Sequence, residues 1–327
     1  MPIKIGLIGC GGISDAHLSG YLKVAEHAQV VAVSDVVEEN AQRRSQQAGG
    51  ARIFNDYHAL LAEGDVDAVD ICLPHHLHKD AIVAAAHSGK HILCEKPLCL
   101  TLAEAAEVKH AIVESGVTLM CAHNQLFLPA IQRARQMIDE GVLGTLYDIR
   151  TVDSFYQAYN PKNVGWRANR AMIGGGELID TGYHPSYMLL YLANAAPSEV
   201  TAMLSTHRLH FMDGEDTAQV LVRFEDGAIG TIVTSWAQDM SPERFSVVGE
   251  LGRLFSYGND LHIHLRGKPE ETLQFPGINT YETEIADFVA CLRAKRRPIQ
   301  TEDDGIKVLK VILGAYQAEA EKRTIKI

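Results

Sequence analysis

Short apolar runs alternate with helix-forming segments through the first third of the chain. The run Ile3–Ile8 leads directly into a glycine-rich turn and a helix that the pattern predicts from about Asp15 to Ala25. Continuous apolar runs of this kind are typical of strands buried on both faces, and strands that alternate with helices without hairpin signals require a parallel, doubly wound sheet. Further strands are predicted at residues 30–34, 52–54, 68–73, 91–94 and 117–122. The sequence therefore predicts a complete α/β domain over residues 1–123.

Beyond about Glu199 the pattern changes to alternating apolar and polar residues, which is typical of strands with one solvent-exposed face. Strands are predicted there at 200–205, 217–224, 228–236, 244–249, 252–257 and 261–265, with an earlier strand at 146–152, and helices at 281–294 and 303–322. Residues 124–327 are therefore predicted to form an α+β domain with an open, mostly antiparallel sheet. We expect at least one of the last two helices to pack back on the first domain. The open sheet face needs cover, and a second subunit would supply it, which predicts a homodimer or homotetramer.

The turn Gly9-Cys10-Gly11-Gly12-Ile13-Ser14 lies directly between the first strand and the first helix. It fits the dinucleotide pattern G-x-G-x-x-G/A except at Ser14, where a small residue suffices for helix–strand packing. Gly9 allows the tight turn, and Gly11 lets a pyrophosphate approach the backbone beside the unpaired N–H groups of the helix N-terminus. We therefore expect a Rossmann domain whose cofactor-binding residues include Gly9, Gly11, Gly12, Ile13 and Ser14.

Asp35 ends the second predicted strand, about where an acidic residue meets the adenosine ribose in such domains. Its carboxylate can accept hydrogen bonds from the ribose hydroxyls and would repel a 2′-phosphate, so NAD is favoured over NADP. The alternative is an aspartate that caps a turn or a helix. Arg43 and Arg44 come late for a phosphate clamp, although a folded loop could bring them near.

Charged residues follow the strand at 91–94, in the segment Cys94-Glu95-Lys96-Pro97. Ligands of open α/β sheets bind at the carboxyl ends of the strands, which makes Lys96 a candidate for contact with cofactor and substrate. Glu95 is then a positioning partner for the lysine or the cofactor. The alternative is a loop with a surface ion pair of little energetic weight.

The segment Pro74-His75-His76-Leu77-His78 opens a helix after another predicted strand. Three histidines suggest a metal, but their helix-start positions and the lack of a nearby cysteine or carboxylate argue against one, so no metal is predicted. We expect Pro74, His75 and His78 at the cofactor, with His76 or His78 fixing the loop as the alternative.

In the second half, Asp180 and His184 are spaced four apart, which places both on one face of a helix. Pro185 clashes with a continuing helix behind it and predicts a kink or a restart. A buried structural Asp–His hydrogen bond is the alternative to a catalytic pair.

The irregular segment 155–171 is rich in aromatic residues. Loops of this length without regular structure are usually functional or disordered, and the aromatics favour an ordered lining of a substrate pocket over a peripheral packing loop. The residues concerned are Tyr156, Tyr159, Trp166 and Arg167.

Composition narrows the class of protein. The net charge is −11, which argues against a nucleic-acid partner because such proteins need a basic surface. No apolar run is long enough for a membrane span, and the N-terminus lacks the regions of a signal peptide. The six cysteines are scattered without a CxxC pair, which favours free thiols in a reducing cytoplasm.

The glycine turn, the Glu95-Lys96-Pro97 motif and the stretch Gly174–His184, in this order, resemble the glucose–fructose oxidoreductase / inositol 2-dehydrogenase (Gfo/Idh/MocA) family. The segments Glu215–Ala218 and Phe224–Ala228 are also similar. The resemblance implies an NAD(P)-dependent oxidoreductase that transfers a hydride between a nicotinamide cofactor and a sugar, a cyclic polyol or a related carbonyl.

The resemblance also implies a catalytic lysine at Lys96, with Asp180 and His184 completing the site. His184 is favoured as the base because its reference pKa lies near neutrality, while Lys96 would stabilise alkoxide charge and Asp180 would orient the histidine or bind a hydroxyl.

Two positions depart from the family pattern. Leu126 stands where an arginine is frequent, and Tyr187 stands where an aspartate is frequent, so polar handles for a hydroxyl-rich substrate are lost. Their role would pass to Asn124, Gln125, Tyr156, Trp166 and Arg167. Two alternatives to a sugar dehydrogenase remain: a reductase of non-sugar carbonyls, diols or imines, and a non-catalytic dinucleotide-binding regulator.

Overall fold

The computed structural model describes residues 1–327. The strands, in chain order, are β1 (Ile3–Ile8), β2 (Ala28–Ser34), β3 (Arg52–Phe54), β4 (Ala68–Ile71), β5 (His91–Glu95), β6 (Leu119–Ala122), β7 (Leu146–Ser154), β8 (Pro197–Ser205), β9 (Thr217–Phe224), β10 (Ile229–Ser235), β11 (Phe245–Gly249), β12 (Gly252–Tyr257), β13 (Asp260–Leu265), β14 (Glu271–Leu273) and β15 (Ile325–Lys326).

The α-helices are α1 (Ile13–Lys23), α2 (Glu38–Gln47), α3 (Tyr57–Glu63), α4 (His78–His87), α5 (Leu102–Ser115), α6 (Pro129–Asp139), α7 (Arg170–Ile173), α8 (Glu177–Asp180), α9 (Tyr183–Ala193), α10 (Thr280–Ala294) and α11 (Glu302–Glu321). None of these helices combines the length and the apolar character that a bilayer crossing requires.

The chain forms two compact units. The first contains residues 1–124 and 279–306, and the second contains residues 125–278 and 307–327. The first unit therefore includes a late segment that the sequence pattern grouped with the second domain. The physical reason is the packing of α10 on α1, where a Cβ atom at Gly20 would lie 2.7 Å from Ile285 Cγ1. Only glycine allows this close approach of the two helices.

The sheet of the first unit has the strand order β3-β2-β1-β4-β5-β6, and every pairing in it is parallel. The order reverses between β1 and β4, which is the switch point of a doubly wound Rossmann sheet. Strands β1, β4, β5 and β6 are mostly apolar and buried, as strands covered by helices on both faces must be. The predicted fold class of this half is confirmed.

The sheet of the second unit has nine strands in the order β14-β13-β12-β11-β7-β10-β9-β8-β15. It is mixed rather than purely antiparallel, because β10 pairs with β7 in parallel while the other pairings are antiparallel. The mostly antiparallel sheet predicted for this half is confirmed. The short strands β14 and β15 carry too few alternating residues to have been recognised from the sequence.

The helix predicted around Asp180 and His184 is broken into α8 and α9. Asp180 is the last residue of α8, Gly182 precedes α9, and His184 and Pro185 lie in the first turn of α9. A proline fits there because the N–H groups of a first helical turn have no intrahelical partner. The predicted restart therefore occurs just before the proline.

Candidate functional site

Three loops of the first unit lie side by side at the carboxyl edge of its sheet. They follow β1, β4 and β5, which are neighbours in the strand order. The first carries the glycine turn, the second carries Pro74 and His75, and the third carries Lys96 and Pro97, which are joined by a cis peptide bond. This edge gathers the cofactor residues that the sequence predicted in three separate segments.

The glycine turn contains one position that only glycine fits and two positions with open space around them. Gly9 has a φ of 89°, and a Cβ atom there would lie 2.5 Å from the carbonyl oxygen of Cys72, so no other residue fits. At Gly11 and Gly12 a Cβ atom would meet nothing within 4 Å. Helix α1 begins here without a side-chain cap. Open space beside uncapped N–H groups fits the pyrophosphate of a dinucleotide.

Ser14 stabilises the turn through hydrogen bonds of its buried hydroxyl. Its side chain is buried, its hydroxyl donates to the carbonyl oxygen of Gly11 at 2.6 Å, and it accepts a hydrogen bond from Arg44 Nε at 2.8 Å. Arg44 also donates to the Gly11 carbonyl at 3.0 Å and to Asp15 at 2.6 Å. The folded chain thus brings Arg44 to the turn, where its guanidinium donates hydrogen bonds to Gly11, Ser14 and Asp15.

Asp35 lies at the end of β2, half-buried beside the same turn. Its Oδ2 accepts the Cys10 N–H at 2.7 Å and its Oδ1 accepts the Val37 N–H at 2.8 Å. A carboxylate oxygen has a second lone pair, so both oxygens can still accept from a ligand. Arg43 lies nearby and donates to the Cys10 carbonyl at 3.4 Å. Asp35 therefore combines a structural contact with a position suited to a ribose.

His78 fixes the loops after β4 and β5 to each other. Its Nδ1 lies 2.6 Å from the carbonyl oxygen of Pro97, and its Nε2 lies 2.8 Å from that of Leu73. His75 is buried in the short 3-10 turn His75–Leu77, with its ring 6.0 Å from that of His78. These contacts of His78 agree with the alternative given in the sequence analysis, in which His76 or His78 fixes the loop.

Glu95 and Lys96 end β5. Glu95 is buried and its Oε2 accepts the Lys96 N–H at 2.9 Å, while its Oε1 lies 3.1 Å from His17 Nε2. Burial alone would raise the pKa of Glu95, but the hydrogen bond and charge of His17, together with the charge and N–H of Lys96, outweigh it and lower the pKa to about 2. Lys96 is half-buried. An ionised carboxylate thus fixes the main chain at the lysine.

In the second unit, Asp180 is buried and accepts a hydrogen bond from Arg167 Nε at 2.6 Å. The Arg167 guanidinium also lies 4.4 Å from the ring centre of Trp166. These contacts bring three predicted substrate residues together and order the aromatic segment. The sequence did not predict the Arg167–Asp180 ion pair, because the partners are thirteen positions apart and lie on separate short helical segments.

His184 is held by Tyr187. The Tyr187 hydroxyl lies 2.7 Å from His184 Nδ1 and accepts the Gln125 N–H at 3.1 Å. Gln125 in turn donates from its side chain to Asp153 at 2.9 Å. A hydroxyl on Nδ1 fixes the ring and directs Nε2 away from that contact. Tyr187, read from the sequence as a lost handle, is a hydrogen-bonding partner of the candidate base.

The remaining predicted substrate residues have separate surroundings. Tyr156 is exposed and packs under Arg208, whose guanidinium carbon lies 3.7 Å from the ring centre. Tyr159 packs edge-on against Trp236 at 5.4 Å. Asn124 belongs to the first unit and donates to Thr280 Oγ1 at 3.0 Å. The sequence missed Arg208, which is distant along the chain from the aromatic segment it orders.

The glycines before Asp180 serve packing. A Cβ atom at Gly176 would lie 2.2 Å from the carbonyl oxygen of Glu215. The Glu215 carboxylate accepts the Leu178 N–H at 3.0 Å and the Tyr316 hydroxyl at 2.8 Å. Glu177 is fully buried against Thr234, and burial raises its pKa well above the usual range. This support holds α8 and hence Asp180 in place.

Comparison with known proteins extends this geometry. A family model described as an oxidoreductase family with an NAD-binding Rossmann fold matches residues 3–123. The Rossmann fold and this match define an NAD-dependent oxidoreductase. A second model, the GFO/IDH/MocA C-terminal domain, matches residues 131–255. The chain belongs to the Gfo/Idh/MocA family, as its motifs predicted, and the predicted NAD cofactor is confirmed.

Similar proteins come from several bacteria. The 1,5-anhydro-D-fructose reductase of Ensifer adhaerens is 29% identical over 98% of both chains. The myo-inositol 2-dehydrogenase of Thermotoga maritima is 26% identical over 99% of this chain and 98% of its own. Among solved structures, a levoglucosan dehydrogenase in complex with NADH and levoglucosan superimposes with a TM-score of 0.92, 24% identity and full coverage of both chains, and shares the fold.

Proposed function

We propose that this protein is an NAD-dependent dehydrogenase or reductase of a sugar or a cyclic polyol. The observation that carries the proposal is the common sheet edge of the glycine turn, Asp35 and Lys96, which joins a dinucleotide site to a charged side chain suited to an alcohol oxygen. The names of the similar proteins, a sugar reductase and an inositol dehydrogenase, support the substrate class.

The turn Gly9–Ser14 and Asp35 would hold the cofactor, with its pyrophosphate at the open Gly11 and Gly12 and its ribose at the carboxylate. When bound, the nicotinamide supplies the two-electron redox chemistry. Lys96 donates a hydrogen bond to the substrate oxygen and balances its developing negative charge. The Glu95 carboxylate on the Lys96 N–H supports this role by fixing the main chain of the lysine.

His184 acts as the base that takes the hydroxyl proton, and Asp180 binds a neighbouring hydroxyl. The Tyr187 hydroxyl on Nδ1 supports this role for His184, since it fixes the orientation of the imidazole ring. The charge-assisted hydrogen bond from Arg167 supports this role for Asp180 by holding its carboxylate in one orientation. Trp166 and Arg167 contribute an aromatic and cationic surface of the kind that contacts sugar rings.

The experiment is a panel of cyclic polyols, aldoses and glycosides followed at the NADH absorbance band. We expect turnover of at least one compound. We expect kcat to fall by at least about 100-fold in Lys96→Ala, because a proton-transfer and charge-stabilising group is lost. Lys23→Ala, an exposed lysine of α1, is the control. An unchanged kcat in Lys96→Ala refutes the assigned role, and no turnover across the panel refutes the substrate class.

We also propose a homodimer or homotetramer formed through the outer face of the second unit's sheet, in a reducing cytoplasm. The outer face carries exposed apolar side chains among polar ones, with Met203 81% and Leu221 48% exposed. All six cysteines are free and buried, which suits a reducing compartment.

A further inference from the structure

Behind Lys96, the first unit contains a buried chain of charged side chains centred on His17 of α1. The His17 ring is fully buried, and its Nδ1 lies 2.9 and 3.1 Å from the two carboxylate oxygens of Asp70 on β4. Its Nε2 lies 3.1 Å from Glu95 Oε1 at the end of β5. The other oxygen of Glu95 accepts the Lys96 N–H at 2.9 Å. The contacts run without a gap from Asp70 to the lysine.

Both nitrogens of His17 face carboxylates, and ionised carboxylates only accept hydrogen bonds, so both nitrogens donate. The ring is therefore an imidazolium. Burial alone would lower the pKa of His17, but the Asp70 carboxylate raises it well above its ordinary value. Two carboxylates around one cation leave a single net negative charge next to the main chain of Lys96.

The other titratable groups around His17 do not share this pairing. The Cys72 thiol donates to Asp70 at 3.5 Å, and the Tyr281 ring of α10 lies 5.7 Å from the imidazole. Glu284 of α10 is fully buried, and neither of its oxygens has a hydrogen-bond partner. Burial raises the pKa of Glu284 well above the usual range and so favours its neutral form. His17 thus pairs with two particular acids among three buried ones.

The residues in this chain of contacts lie on the three elements that lead into or out of the loops at the carboxyl edge. His17 lies one turn into α1, the helix whose N-terminus forms the glycine turn. Asp70 lies on the strand that leads to Pro74, and Glu95 on the strand that leads to Lys96. One imidazolium therefore ties together the elements behind all three loops of the carboxyl edge.

We propose that His17 is a positioning residue that holds the Glu95 carboxylate on the Lys96 amide and so couples the nucleotide-binding helix to the lysine. The inference rests on the proposed function of Lys96. Without His17, the Glu95 side chain would be free to rotate toward the lysine side chain or solvent. The main chain of Lys96 would then no longer be held in one position. A displacement of about 1 Å at a reacting group can cost about 100-fold in rate.

The kinetic test compares Glu95→Gln with Glu284→Gln in the full-length protein. Both changes replace a buried carboxyl by an amide of the same shape, but only the first removes one of the two acceptor oxygens that hold His17 and the Lys96 N–H. We expect kcat to fall about 10- to 100-fold in Glu95→Gln, with the NADH dissociation constant changed less than about threefold, and no change in kcat for Glu284→Gln. Equal losses in both variants, or a loss confined to NADH affinity, would overturn the proposal.

Asp70→Asn separates hydrogen bonding from charge. The asparagine can donate to Nδ1, so a neutral His17 can still donate from Nε2 to Glu95. We expect this variant to keep more activity than Glu95→Gln, because the Glu95 contact survives. An Asp70→Asn protein that folds and is more impaired than Glu95→Gln would contradict a role exerted through Glu95.

Nuclear magnetic resonance of isotope-labelled histidine tests the contacts without any substrate. We expect both ring nitrogens of His17 to carry protons at neutral pH, and one of them to lose its proton in Asp70→Asn. A singly protonated ring in the wild type, or a zinc ion bound by His17, Asp70 and Cys72, whose ligand atoms lie within 4.8 Å of one another, would overturn the proposal. If this result stands while Lys96→Ala retains full activity, the proposed function of Lys96 fails and the buried contacts do not.

Discussion

Asp35 is a single carboxylate with a structural contact and a proposed ligand contact. It anchors the glycine turn through the Cys10 N–H and the next turn through the Val37 N–H. The sequence offered a ribose ligand or a capping aspartate as alternatives, and the geometry has features of both. A substitution at Asp35 therefore changes the turn as well as any ribose contact, and variants must be chosen to separate the two.

Asp35→Asn keeps one acceptor oxygen for the turn and removes the charge. We expect NADH affinity to fall about tenfold, because a charge-assisted hydrogen bond contributes about 1.5 kcal/mol, and the relative affinity for NADPH to rise. Asp35→Ala should weaken both cofactors further, since the Cys10 N–H loses its acceptor. The measurement is a fluorescence titration with both cofactors. Asp56→Asn, at the cap of α3, is the control, and equal effects there would contradict the ribose contact.

Tyr187 gives the candidate base a neutral partner. Tyr187→Phe removes a hydrogen bond to His184 and leaves the Gln125 N–H without its acceptor. We expect kcat/KM to fall about tenfold, because a lost hydrogen bond costs about 1 kcal/mol and the ring becomes less well fixed. Tyr191→Phe, on the same helix and with its hydroxyl 3.5 Å from Gln132, is the control. Equal losses in the two variants would indicate a general effect on α9.

Residues were predictable from the sequence where a local pattern carries the chemistry. The glycine turn, Asp35 and Lys96 each follow a strand, so their shared edge follows from the strand order alone. His17 could have been noticed on the apolar face of α1, and Asp70 as an acid inside a buried strand. Their pairing could not, because it depends on the three-dimensional approach of a helix and two strands.

At the scale of elements, α10 joins the first unit through its contact with α1. Each helix buries one polar side chain, Tyr21 on α1 and Glu284 on α10. Neither the Tyr21 hydroxyl nor the Glu284 carboxyl has a hydrogen-bond partner. The sequence predicted the limits of α10 to within a residue, and that at least one of the last two helices packs on the first domain, but not that α1 is the partner. Helix periodicity defines which face is apolar, whereas the partner of that face depends on the whole fold.

Glu284→Gln should change how stability depends on pH. The pKa of Glu284 is raised in the folded state, so above about pH 4.5 the folded protein holds a proton that the unfolded chain releases. The free energy of unfolding therefore falls as the pH rises through this range, until the folded group ionises. We expect a smaller loss of stability between about pH 5 and about pH 8 in Glu284→Gln than in wild type.

The measurement is urea unfolding at both pH values for the two proteins. The raised pKa of His17 also makes stability fall as the pH rises, but both proteins contain it, so the difference between them isolates Glu284. Identical pH dependence in the two proteins would mean that the Glu284 carboxyl is ionised or hydrogen-bonded in solution.

At the scale of the whole molecule, the outer face of the nine-stranded sheet is the clearest candidate for contact with another copy. Thr201, Leu221 and Thr231 lie opposite one another on β8, β9 and β10, and Ile229 lies one position further along the same face. Apolar and hydroxyl side chains in such a row suit burial against a partner better than a row of charges would.

Leu221→Glu places a charge at the centre of this row. If the proposed assembly forms there, the variant should sediment as a monomer while the wild type sediments as a dimer or tetramer, with unchanged far-ultraviolet circular dichroism. Leu22→Glu, an exposed leucine of the first unit, is the control. A monomeric wild type, or an assembly that survives Leu221→Glu, would contradict the proposed interface.

The two units also differ in which side chains can report on them. All six cysteines belong to the first unit, and both tryptophans, Trp166 and Trp236, belong to the second. Burial raises the pKa of Cys10 and of Cys99 to about 12, so these thiols react slowly until the first unit opens. Thiol labelling therefore follows the opening of one half and tryptophan emission the opening of the other. The natural sequence thus contains separate probes for each half, and the cooperativity of their unfolding can be measured without introducing a label.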